Sequence, residues 1–497
     1  MKFKQILTGA LVLVMLAGSG AGCTQKTLGP SDKVVLKYVM PAPGKQEDSE
    51  KVWAAFNTKL QEKLPNVEVQ FEAIPLSEYK QKFALMCASK EQIDIANNYG
   101  LDFSVEVENG TFEPLDTLLE QYGTETKAAL PEWFMDYQKV NGQIYGIPTY
   151  QMCANIRSLC FIKEYAEQYL DIAGLTNELN QNSMFTEKAF DILGDFAKKV
   201  KEAGIPFKSV AMPNIKGMET VVSHYSVDIG DDSCQVFNTY ANDYMKNTYF
   251  KRAREWFQAG YIRQDVVGAN DMNNFIGKKD GYLWWDAVWT PFVEENLTSK
   301  YGVEILTIPY ADTYFIGKDN TAGGTSIMAS SKHKEEAMQV INLLQSDKEL
   351  YNLLVFGIEG EHYTKVGEDR IETVSPTGQA TANDKYGLYK WIVGNTELAY
   401  DHQLEPEGYK HWVFDEVNSS ENRSKLMGFV PDTSSISNYI AQVESIRDEY
   451  YGMLMSGAME NWEEMYAEWQ NKLELAGNGK IIAEIQKQVD AFLAEKA

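Results

Sequence analysis

The sequence predicts an α/β fold in which helices pack on a central sheet. The first observation is that strand and helix patterns alternate through residues 34–96. The second is that the strand patterns are rich in branched and aromatic residues, whereas the helix patterns repeat apolar residues every three or four positions. Such alternation is typical of layered α/β architectures. The third observation is that the chain ends, from residue 436 onward, in mostly helical patterns.

The predicted elements begin with a strand at residues 34–40, which a Pro-Ala-Pro-Gly loop closes. Residues 49–64 are predicted to form a helix because their apolar residues share one face. The next elements are a strand at 67–74, a helix at 79–88 and a short buried strand at 93–96. An Asn-Gly turn within residues 140–150 then indicates a hairpin.

The middle of the chain contains one helix with clear boundaries, at residues 189–203. Thr186 provides the start signal, and Gly204 followed by Pro206 provides the stop signal. The other predicted elements are strands at 282–285 and 303–308 and helices at 248–259, 334–345, 436–455, 462–476 and 480–494.

Composition excludes several classes of function. The formal charge is −25, and removal of residues 1–22 takes away two lysines and brings it to −27. A chain this acidic is repelled by nucleic acid and by anionic lipid surfaces, so nucleic acid is not expected as a partner. No H-E-x-x-H, phosphate-binding loop, G-x-S-x-G or C-x-x-C motif occurs, and no two histidines are spaced like metal ligands. We therefore expect no metal, no cofactor and no catalytic residue.

The first residues of the chain read as an export signal. Lys2 and Lys4 precede an apolar run at 6–17, which is shorter than the ~20 residues of a spanning helix. Small residues and Cys23 follow, so we predict a signal peptide at 1–22 and a flexible tether at 23–33. The Ala-Gly-Cys ending resembles a bacterial lipobox, in which lipid is attached to the cysteine, although Gly20 stands where lipoboxes usually have leucine. The alternative is an ordinary cleaved signal peptide, with Cys23 incidental.

Several segments together resemble a known family. They are residues 79–95, 110–115, 141–149, 356–363, 391–395, 428–432 and 472–488. The most recognisable is Asn-Gly-Gln-Ile-Tyr-Gly-Ile-Pro-Thr at 141–149, which is similar to the "dGkiYaiP" stretch of that family. In this order they resemble the extracellular solute-binding lipoproteins of ABC importers, of the sugar-binding type. The end of the chain is similar to the carboxy-terminal extension of the Gram-positive branch.

The resemblance implies a type II, periplasmic-binding-protein-like fold, with two α/β lobes, hinge strands and a helical carboxy-terminal segment. We expect the first lobe to comprise residues 34–150 and 310–380. The second lobe is expected to comprise residues 151–309 and 381–497, including the carboxy-terminal helices. The chain is expected to cross between the lobes near 148–153, 309–324 and 376–385.

The resemblance also implies how the protein works. Ligand stabilises a closed state by contacting both lobes, and the closed form docks on the transmembrane permease subunits. We expect an oligosaccharide ligand, a monomer, and a lipid-anchored position on the outer face of a Gram-positive cell membrane rather than in a periplasm.

A sugar site needs flat aromatic side chains and a few placed polar groups. The chain has 10 Trp and 28 Tyr, which can furnish such a site. The candidate ligand-binding residues are Tyr99, Tyr150, Gln151, Trp284, Trp285, Asp286, Trp289, Asn395 and Glu361. Trp284 and Trp285 must point to opposite faces of a strand, so at most one of them faces the cleft. Asp286 could cap a following helix. The alternative is that all three tryptophans belong to the core.

Two other functions are compatible with the sequence. Glu359 and Glu361 could belong to an envelope enzyme that acts on glycans, but the acid and base of glycosidases usually come from separate strands. A sugar sensor without a transport role cannot be distinguished from an importer by sequence. We expect a binding protein and no enzyme.

Overall fold

The computed structural model describes residues 33–154, 156–311, 313–319, 323–373 and 381–496. The predicted signal peptide and Cys23 lie outside these ranges. The strands are β1 Val34–Ala42, β2 Val67–Pro75, β3 Ile95–Asn97, β4 Lys139–Val140, β5 Gln143–Ile144, β6 Ile147–Pro148, β7 Arg157–Ile162, β8 Met218–Val222, β9 Tyr225–Asp228, β10 Phe237–Asn238, β11 Trp284–Val288, β12 Ile305–Pro309, β13 Gly324–Ile327, β14 Tyr363–Lys365, β15 Arg370–Thr373 and β16 Asp401–His402.

The helices alternate with these strands and dominate the end of the chain. They are α1 Ser49–Gln61, α2 Tyr79–Ala88, α3 Phe103–Glu108, α4 Asp116–Tyr122, α5 Thr124–Ala129, α6 Lys163–Tyr169, α7 Ile172–Gln181, α8 Glu187–Glu202, α9 Lys251–Gln258, α10 Val293–Tyr301, α11 Lys334–Ser346, α12 Lys348–Phe356, α13 Tyr409–His411, α14 Ser437–Ser456, α15 Trp462–Leu475 and α16 Asn478–Lys496. Wider π-helical segments precede α9 at Met245–Phe250 and follow α13 at Trp412–Val417. No helix in the described ranges is both long enough and apolar enough to cross a membrane.

The first sheet has the strand order β2-β1-β3-β13-β6. Strand β1 runs parallel to both β2 and β3, so that Tyr38 pairs with Phe71 on one side and Ile95 on the other. Parallel neighbours need crossover connections, which α1 and α2 supply. Strand β13 runs antiparallel to β3 and β6 and brings a distant part of the chain into the same sheet.

The second sheet has the order β11-β7-β12, and all its pairs are antiparallel. Aromatic residues cover both of its faces. Trp284 of β11 packs against Phe196 of α8 and Trp256 of α9, while Trp285 packs against Tyr301 of α10. The opposite orientations expected for Trp284 and Trp285 are thus present, and both of these tryptophans are buried.

Two large hydrophobic cores correspond to the two sheets. The first core surrounds the first sheet with α1, α11 and α12, and the second surrounds the second sheet with α7, α8 and α14–α16. The chain passes from the first sheet to the second between β6 and β7 and returns between β12 and β13. We call these segments the first crossing and the return crossing.

The third predicted crossing between the lobes, near residues 376–385, differs from the sequence-based expectation. The sequence-based division assigned residues 381–497 to the second lobe. In the structure, the buried hydrophobic residues from Tyr386 to Val417 belong to the first core, except Tyr400, which belongs to a small separate cluster, and the second core resumes at Leu426. Residues 374–380, which include most of the expected third hinge, lie outside the described ranges. The difference arises because residues 386–417 pack against α11 and α12, a long-range contact without a local sequence signal.

Candidate ligand-binding site

A cavity of about 540 Å³ lies beside the first crossing, and we call it the first cavity. Its walls come from the end of β3, from residues 151–154 and from residues 390–414. Tyr99 lies just beyond β3, where its N–H donates to Asn97 Oδ1 at 2.9 Å. The first cavity therefore includes the carboxyl end of a parallel strand, the position at which α/β sheets gather ligands.

Aromatic side chains form much of the wall of the first cavity. They are Tyr99, Trp391, Tyr400, Tyr409 and Phe414. The rings of Tyr99 and Trp391 meet edge to face, with centroids 5.2 Å apart, and Trp391 stacks on Tyr389 at 5.5 Å. Because these contacts fix the orientation of the Trp391 ring, the cavity presents a rigid apolar surface.

Four of the five charged residues of this wall pair with one another, and the fifth, Asp319, pairs with Lys318. Lys390 forms an ion pair with Glu405, and Lys410 Nζ lies 3.4 Å from a carboxylate oxygen of Asp401. Lys410 also donates to the main-chain oxygen of Ala399 at 2.6 Å. Such a wall offers hydrogen bonds while its charges balance, which suits an uncharged polar ligand.

A second cavity of about 530 Å³ lies on the other side of the return crossing. It shares Asp319 with the first cavity, so the two are adjacent. Its walls come from the start of β7, the end of β12 and residues 180–183 and 215–220. The ammonium group of Lys216 is held there by the main-chain oxygens of Leu179, Asn182 and Tyr310.

Glu219 lines the second cavity and hydrogen-bonds to two distant segments of the chain, the return crossing and the segment that contains Ser424. Its carboxylate accepts hydrogen bonds from the N–H of Lys318 in the return crossing and from the hydroxyl of Ser424. Burial raises the pKa of Glu219 above its usual value, although these hydrogen bonds act in the opposite direction. The Glu219 side chain therefore links β8 by hydrogen bonds to the return crossing and to the segment that contains Ser424.

Trp289 brings the second sheet into contact with the first core. It directly follows β11, and its N–H donates to the oxygen of Ile156 at 2.7 Å. Its ring lies 6.4 Å from that of Trp412, which in turn donates through Nε1 to the Tyr314 hydroxyl at 2.8 Å. Trp289 thus lies at the boundary between the two cores, beside the first crossing.

Comparison with known proteins identifies the family. The family model of the bacterial extracellular solute-binding proteins matches residues 43–350, more than half of the chain. The chain belongs to this family. Residues 425–494 also match a domain of unknown function, DUF3502. The predicted family and its carboxy-terminal extension are thereby confirmed, and so is the expectation of a solute-binding protein rather than an enzyme.

Relatives of this solute-binding protein cover almost its whole length. A carbohydrate ABC transporter substrate-binding protein of Streptococcus pneumoniae serotype 4 is 25% identical over 99% of both chains. An N-glycan transport solute binding protein from Streptococcus pneumoniae has a similar structure, with a TM-score of 0.74 and 21% identity over 94% of this chain and 100% of that one. An HMO-binding, ABC-transporter-associated solute binding protein from Bifidobacterium longum infantis gives a TM-score of 0.61 and 13% identity over 93% of this chain and 99% of that one. These likenesses confirm the two-lobe α/β fold.

Of the residues predicted from sequence, Tyr99 and Gln151 line the first cavity. Tyr150 lies beneath it, with its ring 5.0 Å from that of Phe134 and 5.1 Å from that of Phe414. Burial raises the pKa of Tyr150 to about 12. Its main chain bonds to the segment that follows Gly394, so Tyr150 supports the cavity wall from behind.

Trp284 and Trp285 lie in the second core and line neither cavity. Trp284 is 0% exposed, and its Nε1 donates to the oxygen of Ala211 at 2.7 Å. The prediction of a cleft role from their place near a strand end does not fit, because helices cover both faces of β11.

Asp286 is part of β11 and caps no helix, since α10 begins only at Val293. The Asp286 carboxylate accepts a hydrogen bond from the N–H of Asn214, at 3.3 Å to each oxygen. Burial raises the pKa of Asp286 to about 7, and this hydrogen bond and the charge of Arg157 offset the rise only in part. Asp286 therefore titrates near neutral pH.

Asn395 and Glu361 both bind other residues of the protein, and these contacts explain their positions without a ligand. Asn395 is buried, and its Oδ1 accepts from the N–H of Glu397 at 2.9 Å at the start of a short helical turn. Glu361 is exposed and pairs with Lys51. Neither residue lines the two cavities. In the described part of the chain, no group of three His, Cys, Asp or Glu side chains is placed to hold a metal ion.

The sequence-based prediction did not include most of the residues that line the first cavity. It selected Asn395 from the segment 391–395, whereas Trp391 of the same segment lines the cavity. Tyr400, Tyr409 and Phe414 were also missed. A usable signal was present, because aromatic residues are dense between positions 386 and 414.

Proposed function

We propose that this solute-binding protein captures an oligosaccharide outside the cytoplasm and delivers it to the permease of an ABC importer. The observation that carries the proposal is the first cavity, where the ring of Trp391 is held in place beside charge-balanced polar groups. Sugar rings have weakly apolar faces and hydroxyl edges, and this wall offers a partner for each.

The relatives support the same ligand class. The S. pneumoniae relative is a carbohydrate transporter protein by name, and two structures of the similar N-glycan transport protein contain Man1GlcNAc and Man5GlcNAc. By analogy, we propose that this chain binds a ligand of several sugar units. Tyr99, Gln151 and Trp391 would contact it from the first lobe, and Trp289 from the second.

We further propose that the ligand is held by closure of two lobes. The contacts within each core favour a first lobe of residues 34–154, 316–319, 323–373 and 381–417 and a second lobe of residues 156–311 and 426–496. The crossings beside Trp289 and Asp319 would then act as the hinge.

Binding to a panel of oligosaccharides tests this function. We expect at least one neutral oligosaccharide to raise the unfolding temperature, to bind in calorimetry with a single site, and to reduce the radius of gyration in X-ray scattering as the lobes close. Tight binding of a peptide or polyamine, with no response to any sugar, would contradict the proposed ligand class. Binding without compaction would instead contradict the closure.

We also propose that the mature chain begins at Cys23 and is anchored through lipid on this residue, as a monomer on the outer face of the cell membrane. The charged, apolar and small-residue pattern of residues 1–22 supports export, and the Ala-Gly-Cys ending supports the anchor. In a Gram-positive host, the protein is expected in the membrane fraction and Cys23→Ser in the medium. Membrane retention of Cys23→Ser would contradict the lipid anchor.

A further inference from the structure

Arg157 occupies a fixed position at the wall of the second cavity. It is the first residue of β7, where it pairs with Val288 of β11, and its main-chain oxygen accepts from the N–H of Tyr310 at 2.8 Å. These contacts come from the strands on both sides of β7. They fix the Arg157 backbone at the point where the chain enters the second sheet.

The side chain of Arg157 has no hydrogen bond or ion pair with any described residue. Its Nε is buried without a partner, and two more unpartnered buried atoms, Asn180 Oδ1 and Tyr310 Oη, belong to residues of the same wall. Arg252 on α9 also has a buried Nε without a partner, but its Nη atoms form ion pairs with Asp191 and Glu255. Arg157 as a whole is half-exposed, and its terminal guanidinium nitrogens have no partner among the described residues, so they can bind a ligand in the second cavity.

The nearby carboxylates do not satisfy Arg157. Glu219 is engaged by Lys318 and Ser424, and Asp319 pairs with Lys318 at 2.7 Å. Asp286, on the neighbouring strand, is close enough for the charge of Arg157 to lower its pKa in part, but burial raises that pKa to about 7, and the two side chains form no direct ion pair. The positive charge of Arg157 is therefore available to the second cavity, in contrast to the paired charges of the first.

We propose that the second cavity is a subsite for an acidic sugar unit, whose carboxylate is bound by Arg157. The proposal rests on the proposed oligosaccharide function and specifies its ligand. A guanidinium binds a carboxylate through two parallel hydrogen bonds, which gives both strength and orientation. Because the two cavities meet at Asp319, neutral units would lie in the first cavity and the acidic unit in the second.

A matched pair of ligands tests the acidic subsite. Calorimetry would compare a sialylated N-glycan and an oligosaccharide with a terminal glucuronate against the same glycans with the acid unit removed or replaced by glucose. We expect the acidic members to bind about tenfold or more tightly, as one charge-assisted contact implies. This preference should weaken as salt concentration rises.

Three variants test whether Arg157 causes the preference for acidic ligands. Arg157→Gln is expected to remove the preference, so that acidic and neutral members bind with equal affinity, and Arg157→Lys is expected to keep part of the preference. Arg252→Gln, which alters an arginine remote from the cavity, should behave as the original protein. Equal affinity for acidic and neutral members, or a preference that survives in Arg157→Gln, would overturn the subsite and leave the proposed function standing. Failure of every sugar to bind would overturn both.

Discussion

Replacing Trp469 with alanine is expected to destabilise the second lobe by about 3–5 kcal/mol, the cost of removing a large buried aromatic side chain. Trp469 is 0% exposed in α15 and stacks on Tyr450 of α14, with ring centroids 6.3 Å apart. It also contacts Phe250, in the π-helical segment before α9, at 6.1 Å. A loss of this size is a large fraction of the stability of a typical domain. Guanidinium unfolding curves would measure it.

Trp469→Phe is the matched control. The indole Nε1 of Trp469 has no hydrogen-bond partner, so phenylalanine removes volume without breaking a hydrogen bond. We expect a clearly smaller loss than for alanine. If Trp469→Ala unfolded at the same denaturant concentration as the original protein, the helices α14–α16 would not contribute to the stability of the second core.

This prediction gives the carboxy-terminal domain of unknown function a structural role. Its helix α16 buries Ile481, Ile485 and Val489 in the same core as the second sheet. Gln486 of α16 also accepts a hydrogen bond from the N–H of Val236 at 2.7 Å. The domain is therefore part of the second core and forms no separate core of its own among the described residues.

Replacing Trp391 with alanine is expected to weaken oligosaccharide binding roughly tenfold to a hundredfold, the effect typical of a central aromatic contact. The Trp391 ring lies between Tyr99 and Tyr389 at the wall of the first cavity. Alanine would remove the flat surface and leave the paired charges in place. Calorimetry with the best ligand of the panel would measure the change.

Trp462→Ala provides a control for Trp391→Ala. Trp462 is a partly buried tryptophan at the start of α15 and lies against the second core, away from the first cavity. We expect unchanged affinity in this variant. Unchanged affinity in Trp391→Ala itself, with the protein folded, would place the ligand elsewhere than the first cavity.

The elements that the sequence predicted well are those with local signals. The helix α8 begins where Thr186 was expected to start it, and the Thr186 side chain accepts from the N–H of Ala189 at 3.1 Å. The strands β1 to β3 likewise follow from branched residues bounded by turns. These features depend on neighbours within a few positions, so the sequence displays them directly.

The site was predicted less well because its residues meet only through long-range packing. Strand alternation correctly set Trp284 and Trp285 on opposite faces, but it could not reveal that helices α8, α9 and α10 cover both faces. Arg157 gave no signal either, because an unpaired charge becomes visible only when every possible partner has been placed.

The sequence by itself therefore determined the fold class and the family, since these depend on local patterns and on ordered motifs. Tertiary structure alone decided that residues 386–417 pack with the first core and bring Trp391 and Phe414 to Tyr99. It also decided that Arg157 remains unpaired beside a second cavity. Contacts between residues separated by hundreds of positions depend on how whole layers pack, which no local pattern encodes.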